Sequence, residues 1–146
     1  MENLDFEELA EKYGELKEYL PMDFSDRKAL LCLNKAILAV EYKIDYYDVP
    51  EGYLLPRIPQ RAEYLDRLSE LFPEKTEPLH GFDIGFGANF IYPLLATKHN
   101  WKMSGSDINP QALDSAQNLI EKNNLTHIVS LKLQPDPSKI LDGVLD

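Results

Sequence analysis

The sequence has a single cysteine, Cys32, in 146 residues. One thiol excludes an internal disulfide and a thiolate-rich metal site, and it fits a reducing compartment. Positive charge is scarce as well: 15 Lys+Arg stand against 25 Asp+Glu, a formal net charge of -10. Holding a polyphosphate by counterion release needs Lys or Arg at each phosphate, so bulk electrostatics does not drive this chain onto nucleic acid. Any basic surface is local or absent. Long apolar runs are also missing: Ala36-Ile-Leu-Ala-Val40 and Tyr92-Pro-Leu-Leu-Ala96 fall far short of the roughly 20 residues that cross a bilayer. The acidic start lacks the basic-then-apolar order of a signal peptide, so the sequence predicts a cytoplasmic protein without a membrane partner. What is present suffices for a core, with 44% hydrophobic residues in a length that suits one ordinary domain.

Residues 1–78 read as helices joined by one irregular stretch, and residues 79–146 as alternating strand and helix. Phe6, Leu9, Tyr13, Leu16 and Leu20 recur at steps of three or four, which predicts one helix over residues 5–20 with its glutamates turned to water. A second helix is expected to start at Ser25, whose hydroxyl can cap the first turn, and to run through Leu30, Leu33, Ile37 and Val40. Cys32 lies within it and reads as a small core residue. From Tyr42 to Gln60, Tyr46-Tyr47, Pro50-Glu51-Gly52, Pro56 and Pro59 interrupt helix and mark a long loop of the kind that often lines a site. A third helix follows from about Pro59, with Ala62, Leu65, Leu68 and Leu71 on one face.

From Leu79 the pattern changes to a strand, His80-Gly-Phe-Asp-Ile84, a glycine turn, and a helix from about Asn89 to Lys98. A second strand covers residues 102–106, a helix Gln111 to Lys122 with Leu113, Ala116, Leu119 and Ile120 inward, and a third strand residues 128–133. That order, β-α-β-α-β, predicts an α/β fold with parallel strands and right-handed crossovers. The tail, with Ile140, Leu141, Val144 and Leu145, suggests one more short amphipathic helix.

Asp83-Ile-Gly85-Phe-Gly87 stands where the first strand passes into its helix, the place in an open α/β sheet where a cofactor lies across the strand ends. Twenty residues after Gly87 comes Asp107, at the end of the second strand, where an acid can accept from both hydroxyls of an adenosine ribose. A dinucleotide fingerprint wants a small residue three places after Gly87, and that position is Phe90. Asp83 suits S-adenosylmethionine, because a carboxylate beside the turn can orient the cationic methionine end. His80, His99 and His127 share no metal-ligand spacing, so they read as surface or packing residues and no metal is expected.

The stretch Asp83-Ile-Gly-Phe-Gly-Ala-Asn-Phe-Ile-Tyr-Pro-Leu-Leu95 resembles the signature of the adenine-N6 RNA methyltransferases, the family that includes the bacterial ribosomal RNA large subunit methyltransferase F and the eukaryotic enzyme acting on spliceosomal U6 RNA. Met22-Asp-Phe-Ser25, Leu33-Asn-Lys-Ala-Ile-Leu-Ala39, Asp48-Val-Pro-Glu-Gly-Tyr53, Ile58-Pro-Gln-Arg-Ala-Glu-Tyr64, Gly105-Ser-Asp107 and Gln111-Ala-Leu-Asp-Ser-Ala-Gln117 extend the likeness over nearly the whole chain, on the bacterial side of the family. It implies an N-terminal helical module, residues 1–78, followed by the first β-α-β-α-β half of a Rossmann-like class I methyltransferase sheet, residues 79–146, in spatial order three-two-one. It also implies that Gly85, Gly87 and Asn89 contact S-adenosylmethionine, that Asp107 takes the ribose hydroxyls, and that Arg61 reaches the methionine carboxylate. Asp107 stands where the family usually has Glu, and Phe86 where it has a smaller residue.

The family's catalytic Asn-Pro-Pro-aromatic motif and its basic N-terminal arm do not occur in these 146 residues. The resemblance therefore implies a partial chain or a truncated gene product, inactive by itself, of an enzyme that methylates an adenine N6 of 23S ribosomal RNA, with the RNA surface and the catalytic motif supplied elsewhere. The cofactor half alone leaves other readings open: a non-catalytic cofactor-binding or pairing protein, or methylation of a small-molecule amine. A nicotinamide-dependent dehydrogenase is disfavoured by Phe90.

Overall fold

The computed structural model describes residues 4–72, 77–142 and 144. Eight principal elements follow one another: α1 (Phe6–Lys12), α2 (Arg27–Tyr42), α3 (Ile58–Glu70), β1 (His80–Ile84), α4 (Ile91–Ala96), β2 (Lys102–Asp107), α5 (Pro110–Lys122) and β3 (Val129–Leu133). The strands form a parallel sheet in the order β1-β2-β3. This is the α/β arrangement of parallel strands that the alternating pattern predicts.

The helices differ from expectation mainly at their ends. The single helix expected over residues 5–20 ends at Lys12; Tyr13 leaves helical geometry and Gly14–Tyr19 form a 3-10 helix. Gly14 is the residue least able to hold an α-helix against its own backbone entropy. The 3-10 helix still delivers Leu16, fully buried, to the core. Asp26, not Ser25, caps α2, accepting from the Lys28 amide at 2.8 Å, while the Ser25 hydroxyl donates to Asp23 Oδ1. Leu71 lies beyond the end of α3 and is 72% exposed, outside the apolar face expected for it. In the tail, a short 3-10 helix, Pro137–Lys139, precedes the residues expected to form an amphipathic helix, and Ile140 and Leu141 face solvent. Leu145 and residues 73–76 of the linker lie outside the described residues.

One apolar core runs from Leu9 and Leu16 through Leu33, Ile37, Ile58 and Leu65 to Phe90, Leu94, Ala116 and Val129. Each fully buried Leu, Ile or Phe contributes about 1.5–3 kcal/mol relative to exposure. α3 packs on α4, α4 packs against β2, and α5 packs against β2 and β3. Strand alternation places His80, Ser104 and Ser130 on a shared face of the sheet, where the three side chains form a hydrogen-bonded row at 2.8 and 2.9 Å. His80 and His127 are exposed, and His99 pairs with Asp66 at 3.0 Å.

Candidate cofactor site at the strand ends

The turn after β1 is tied to the end of β2. The Gly85 amide donates to the Ser106 carbonyl at 2.7 Å, and the Gly87 amide donates to Asp107 Oδ2 at 2.9 Å. Both glycines have positive φ, +73° and +66°, and a Cβ built on either meets no atom within 4 Å. The space in front of the turn is therefore open, and only glycine enters this backbone conformation without strain. Phe86 turns inward and meets Phe90 edge-to-face at 5.2 Å, both rings buried. Room for Phe86 comes from Gly105, where an added Cβ would stand 2.8 Å from the ring. The large residue at position 86 and the glycine on the next strand are thus one packing solution. Phe90, wholly buried at the start of α4, fills the position a dinucleotide-binding turn keeps small.

Two carboxylates flank the turn and differ in their surroundings. Asp107 is 8% exposed and has both oxygens engaged, Oδ2 by Gly87 and Oδ1 by the Asn109 amide at 2.8 Å. Each oxygen keeps a further lone pair for an incoming hydroxyl. Asp83 is largely buried on β1, and its Oδ2 has no hydrogen-bond partner. Burial, and then the charge of Asp107, push the Asp83 pKa up to about 6. An uncompensated carboxylate oxygen of this kind fits a cationic N–H donor.

The loop between α2 and α3 is latched over the same region. Arg27 donates to the carbonyls of Tyr53, Pro50 and Val49 at 2.8, 2.9 and 3.2 Å, and Asn34 to that of Pro56 at 3.0 Å. The Tyr53 hydroxyl accepts from Asn109 Nδ2 at 2.8 Å and donates to Gln111 Oε1 at 3.1 Å. Asn89 bonds the Leu54 carbonyl at 3.4 Å through Nδ2, while its Oδ1 accepts from the Ile91 amide. Tyr53 and Asn109 tie this loop to the end of β2, a contact that sequence patterning missed; the ring-rich loop was the available signal. Apolar side chains at the strand ends stay exposed: Ile84 at 45% and Ile108 at 62%.

Asp83, Gly85, Gly87, Asn89 and Asp107 therefore come together at one place. Arg61 is not bonded to any of them; it lies in the first turns of α3, half-exposed, with Nη1 donating to the Arg57 carbonyl at 3.3 Å. Among the described residues no three His, Cys, Asp or Glu side chains group as metal ligands, and no helix is long and apolar enough to cross a membrane.

A parallel β-α-β-α-β sheet with a glycine turn after its first strand and an acid closing its second is the Rossmann-like architecture of methyltransferase domains. The chain belongs to an RNA methyltransferase family, whose sequence model matches residues 1–146. The ribosomal RNA large subunit methyltransferase F of Vibrio campbellii is 36% identical over 97% of this chain. The match covers 40% of that relative, so the chain spans less than half its length. Among solved structures, the METTL16 methyltransferase domain superposes with a TM-score of 0.85 at 28% identity, over 96% of this chain and 60% of that one. The N-terminal domain of human METTL16 in complex with SAH superposes with a TM-score of 0.79 at 28% identity, over 92% of this chain and 56% of that one.

Proposed function

We propose that this chain forms the S-adenosylmethionine-holding part of an enzyme that methylates an adenine N6 of 23S ribosomal RNA in the cytoplasm. The observation that carries the cofactor reading is the buried, unpartnered Oδ2 of Asp83 beside the open glycine turn. An ammonium group is the donor that oxygen lacks, and the methionine end of S-adenosylmethionine carries one. Bound there, the cofactor supplies an electrophilic methyl on a sulfonium.

The chain's own residues bind and orient. Asp83 receives the ammonium, and the missing side chains of Gly85 and Gly87 let the ligand lie against the backbone. Asp107, already anchored by Gly87 and Asn109, accepts the ribose hydroxyls with its remaining lone pairs. Asn89 Nδ2, held only by a long bond to Leu54, turns to the ligand at little cost. Arg61 offers a guanidinium fork to the methionine carboxylate. The METTL16 complex with SAH, the demethylated form of this cofactor, supports the reading. The ribosomal substrate is supported by the name and identity of the Vibrio campbellii relative.

The 146 residues alone bind cofactor without transferring its methyl. Their one Asn-Pro pair, Asn109-Pro110, is followed by Gln111, and Asn109 is committed to capping α5 and to Tyr53. Nucleoside mass spectrometry of 23S ribosomal RNA from a host with the gene deleted tests the substrate: one N6-methyladenosine is lost. An unchanged modification profile contradicts it.

A further inference from the structure

α1, α2, the end of the ring-rich loop and the start of α3 line an open cavity of about 400 Å³. That volume is within the usual range of a small-molecule site, and the cofactor reading makes no use of it. Its floor is apolar, with Leu33, Ile37 and Ile58 buried there. Its rim carries the Phe24 ring, 59% exposed and braced by Phe6 at 6.1 Å between ring centres. An exposed ring beside an open cavity is a surface on which a flat ligand can stack.

Among the described residues the lining has three polar side chains, Asn34, Arg57 and Gln60, and Arg57 is its only charge. Asn34 is buried and spends Nδ2 on the Pro56 carbonyl at 3.0 Å, which leaves Oδ1 to accept. Gln60 and Arg57 stand exposed at the rim. Of the chain's four arginines, Arg27 grips loop carbonyls, Arg61 bonds the Arg57 carbonyl and Arg67 pairs with Glu63. The Arg57 guanidinium has neither a hydrogen bond nor an ion pair among the described residues. A chain of net charge -10 does not gather polyanions in bulk. A ring, two carboxamides and one guanidinium recognise a single nucleotide by contact instead.

We infer that this cavity receives one unstacked nucleotide of single-stranded RNA, its base on the Phe24 ring, its base edge on the Asn34 and Gln60 carboxamides, and a phosphate on Arg57. This rests on the reading of the chain as part of an RNA-methylating enzyme. A carboxamide offers both a donor and an acceptor, as a base edge does, and a guanidinium fork matches a phosphate. An acyl chain or an apolar peptide fills the floor but leaves the carboxamides and the guanidinium unmet. The cavity also shares its loop with the cofactor site: Asn34 holds the Pro56 carbonyl, while the Leu54 carbonyl accepts from Asn89 and the Arg57 carbonyl from Arg61. The nucleotide seated here is a flanking one, because the reacting adenosine belongs at the strand ends with the methyl.

Fluorescence anisotropy of the 146-residue chain with a fluorescein-labelled RNA octamer of adenosine tests it, beside calorimetric titration with S-adenosylhomocysteine. Phe24→Leu removes the ring and keeps an apolar contact to Phe6; it is expected to weaken the octamer about tenfold, as for one lost base–ring stack, with no change in salt dependence. Arg57→Gln is expected to weaken it as well and to lower the slope of log affinity against log salt by about 0.7, one phosphate's share in a single strand. Both variants are expected to keep the wild-type affinity for S-adenosylhomocysteine. If Phe24→Leu melts lower than the wild type, Arg57→Gln decides, since a loss of folding does not reproduce its change in salt slope. No octamer binding by the wild type, or binding unchanged in either variant, overturns the inference, and S-adenosylhomocysteine binding then leaves the cofactor reading standing. AMP that binds as tightly as the octamer marks a free-nucleotide site and overturns the assignment to RNA. Octamer binding with this dependence on Phe24 and Arg57, but no S-adenosylhomocysteine binding, overturns the cofactor reading and supports the inference.

Discussion

Asp83 and Asp107 approach one another at the carboxyl ends of neighbouring strands, and the charge on Asp107 adds to burial in raising the Asp83 pKa to about 6. Asp107 has a backbone amide on each oxygen, whereas Asp83 Oδ2 has none. The pair is asymmetric, with one acid built into the turn and the other left with an unpartnered oxygen.

That asymmetry sets a pH dependence of stability. A carboxyl whose folded pKa lies above its unfolded value binds its proton more tightly in the fold, so its contribution is present at low pH and lost as pH rises. The window runs from the ordinary 3.8 to about 6. Other groups titrate there too, so the readout is the difference between wild type and Asp83→Asn. The melting temperature of the wild type is expected to fall relative to the variant between pH 4 and pH 6.5, as followed by circular dichroism.

At pH 7 Asp83→Asn is expected to stabilise the chain by roughly 1–3 kcal/mol, because a neutral amide replaces a poorly solvated charge. The same variant is expected to lose at least tenfold in S-adenosylhomocysteine affinity. For the wild type, affinity rises as pH passes upward through 6, since the ammonium needs the ionised carboxylate. Titrations at pH 5, 6 and 7 check this.

Gly105→Ala places a Cβ against the Phe86 ring and 3.3 Å from the Asp83 carbonyl. Overpacking of this kind costs about 1–3 kcal/mol. Adding Phe86→Leu is expected to recover part of that loss, and a double-mutant cycle in urea measures the coupling. Additive effects would contradict the packing account.

Arg27 reaches three carbonyls of the loop that carries Tyr53 and Leu54. Arg27→Met leaves those carbonyls without a charged donor and is expected to cost about 1–3 kcal/mol. Amide exchange of residues 49–54 is expected to accelerate well beyond that of α5. Cofactor affinity falls with it, through the lost Tyr53–Asn109 and Leu54–Asn89 contacts.

Much of this was legible in the chain because the signals were local. The strands, the glycine turn and the acid twenty residues on lie within short windows, and the turn and the acid meet through the Gly87–Asp107 bond. The end of α1 was not legible, because the apolar spacing that predicts helix continues past Gly14 in a tighter 3-10 form. Ser25 and Asp26 are both good caps, and only the observed backbone selects between them. The loop latch escaped for another reason: Arg27 to Tyr53 and Tyr53 to Asn109 are contacts between distant segments, which no periodicity encodes. Phe86 looked like a departure from pattern until Gly105 was seen beneath it.

The central claim is that the strand-end site holds S-adenosylmethionine. Calorimetric titration of the 146-residue chain with S-adenosylhomocysteine, with NAD as the competitor class, tests it most directly. The account predicts saturable binding of one S-adenosylhomocysteine per chain, lost at least tenfold in Asp83→Asn, and weaker or no binding of NAD. Tighter binding of NAD, or S-adenosylhomocysteine binding unchanged in Asp83→Asn, would contradict it.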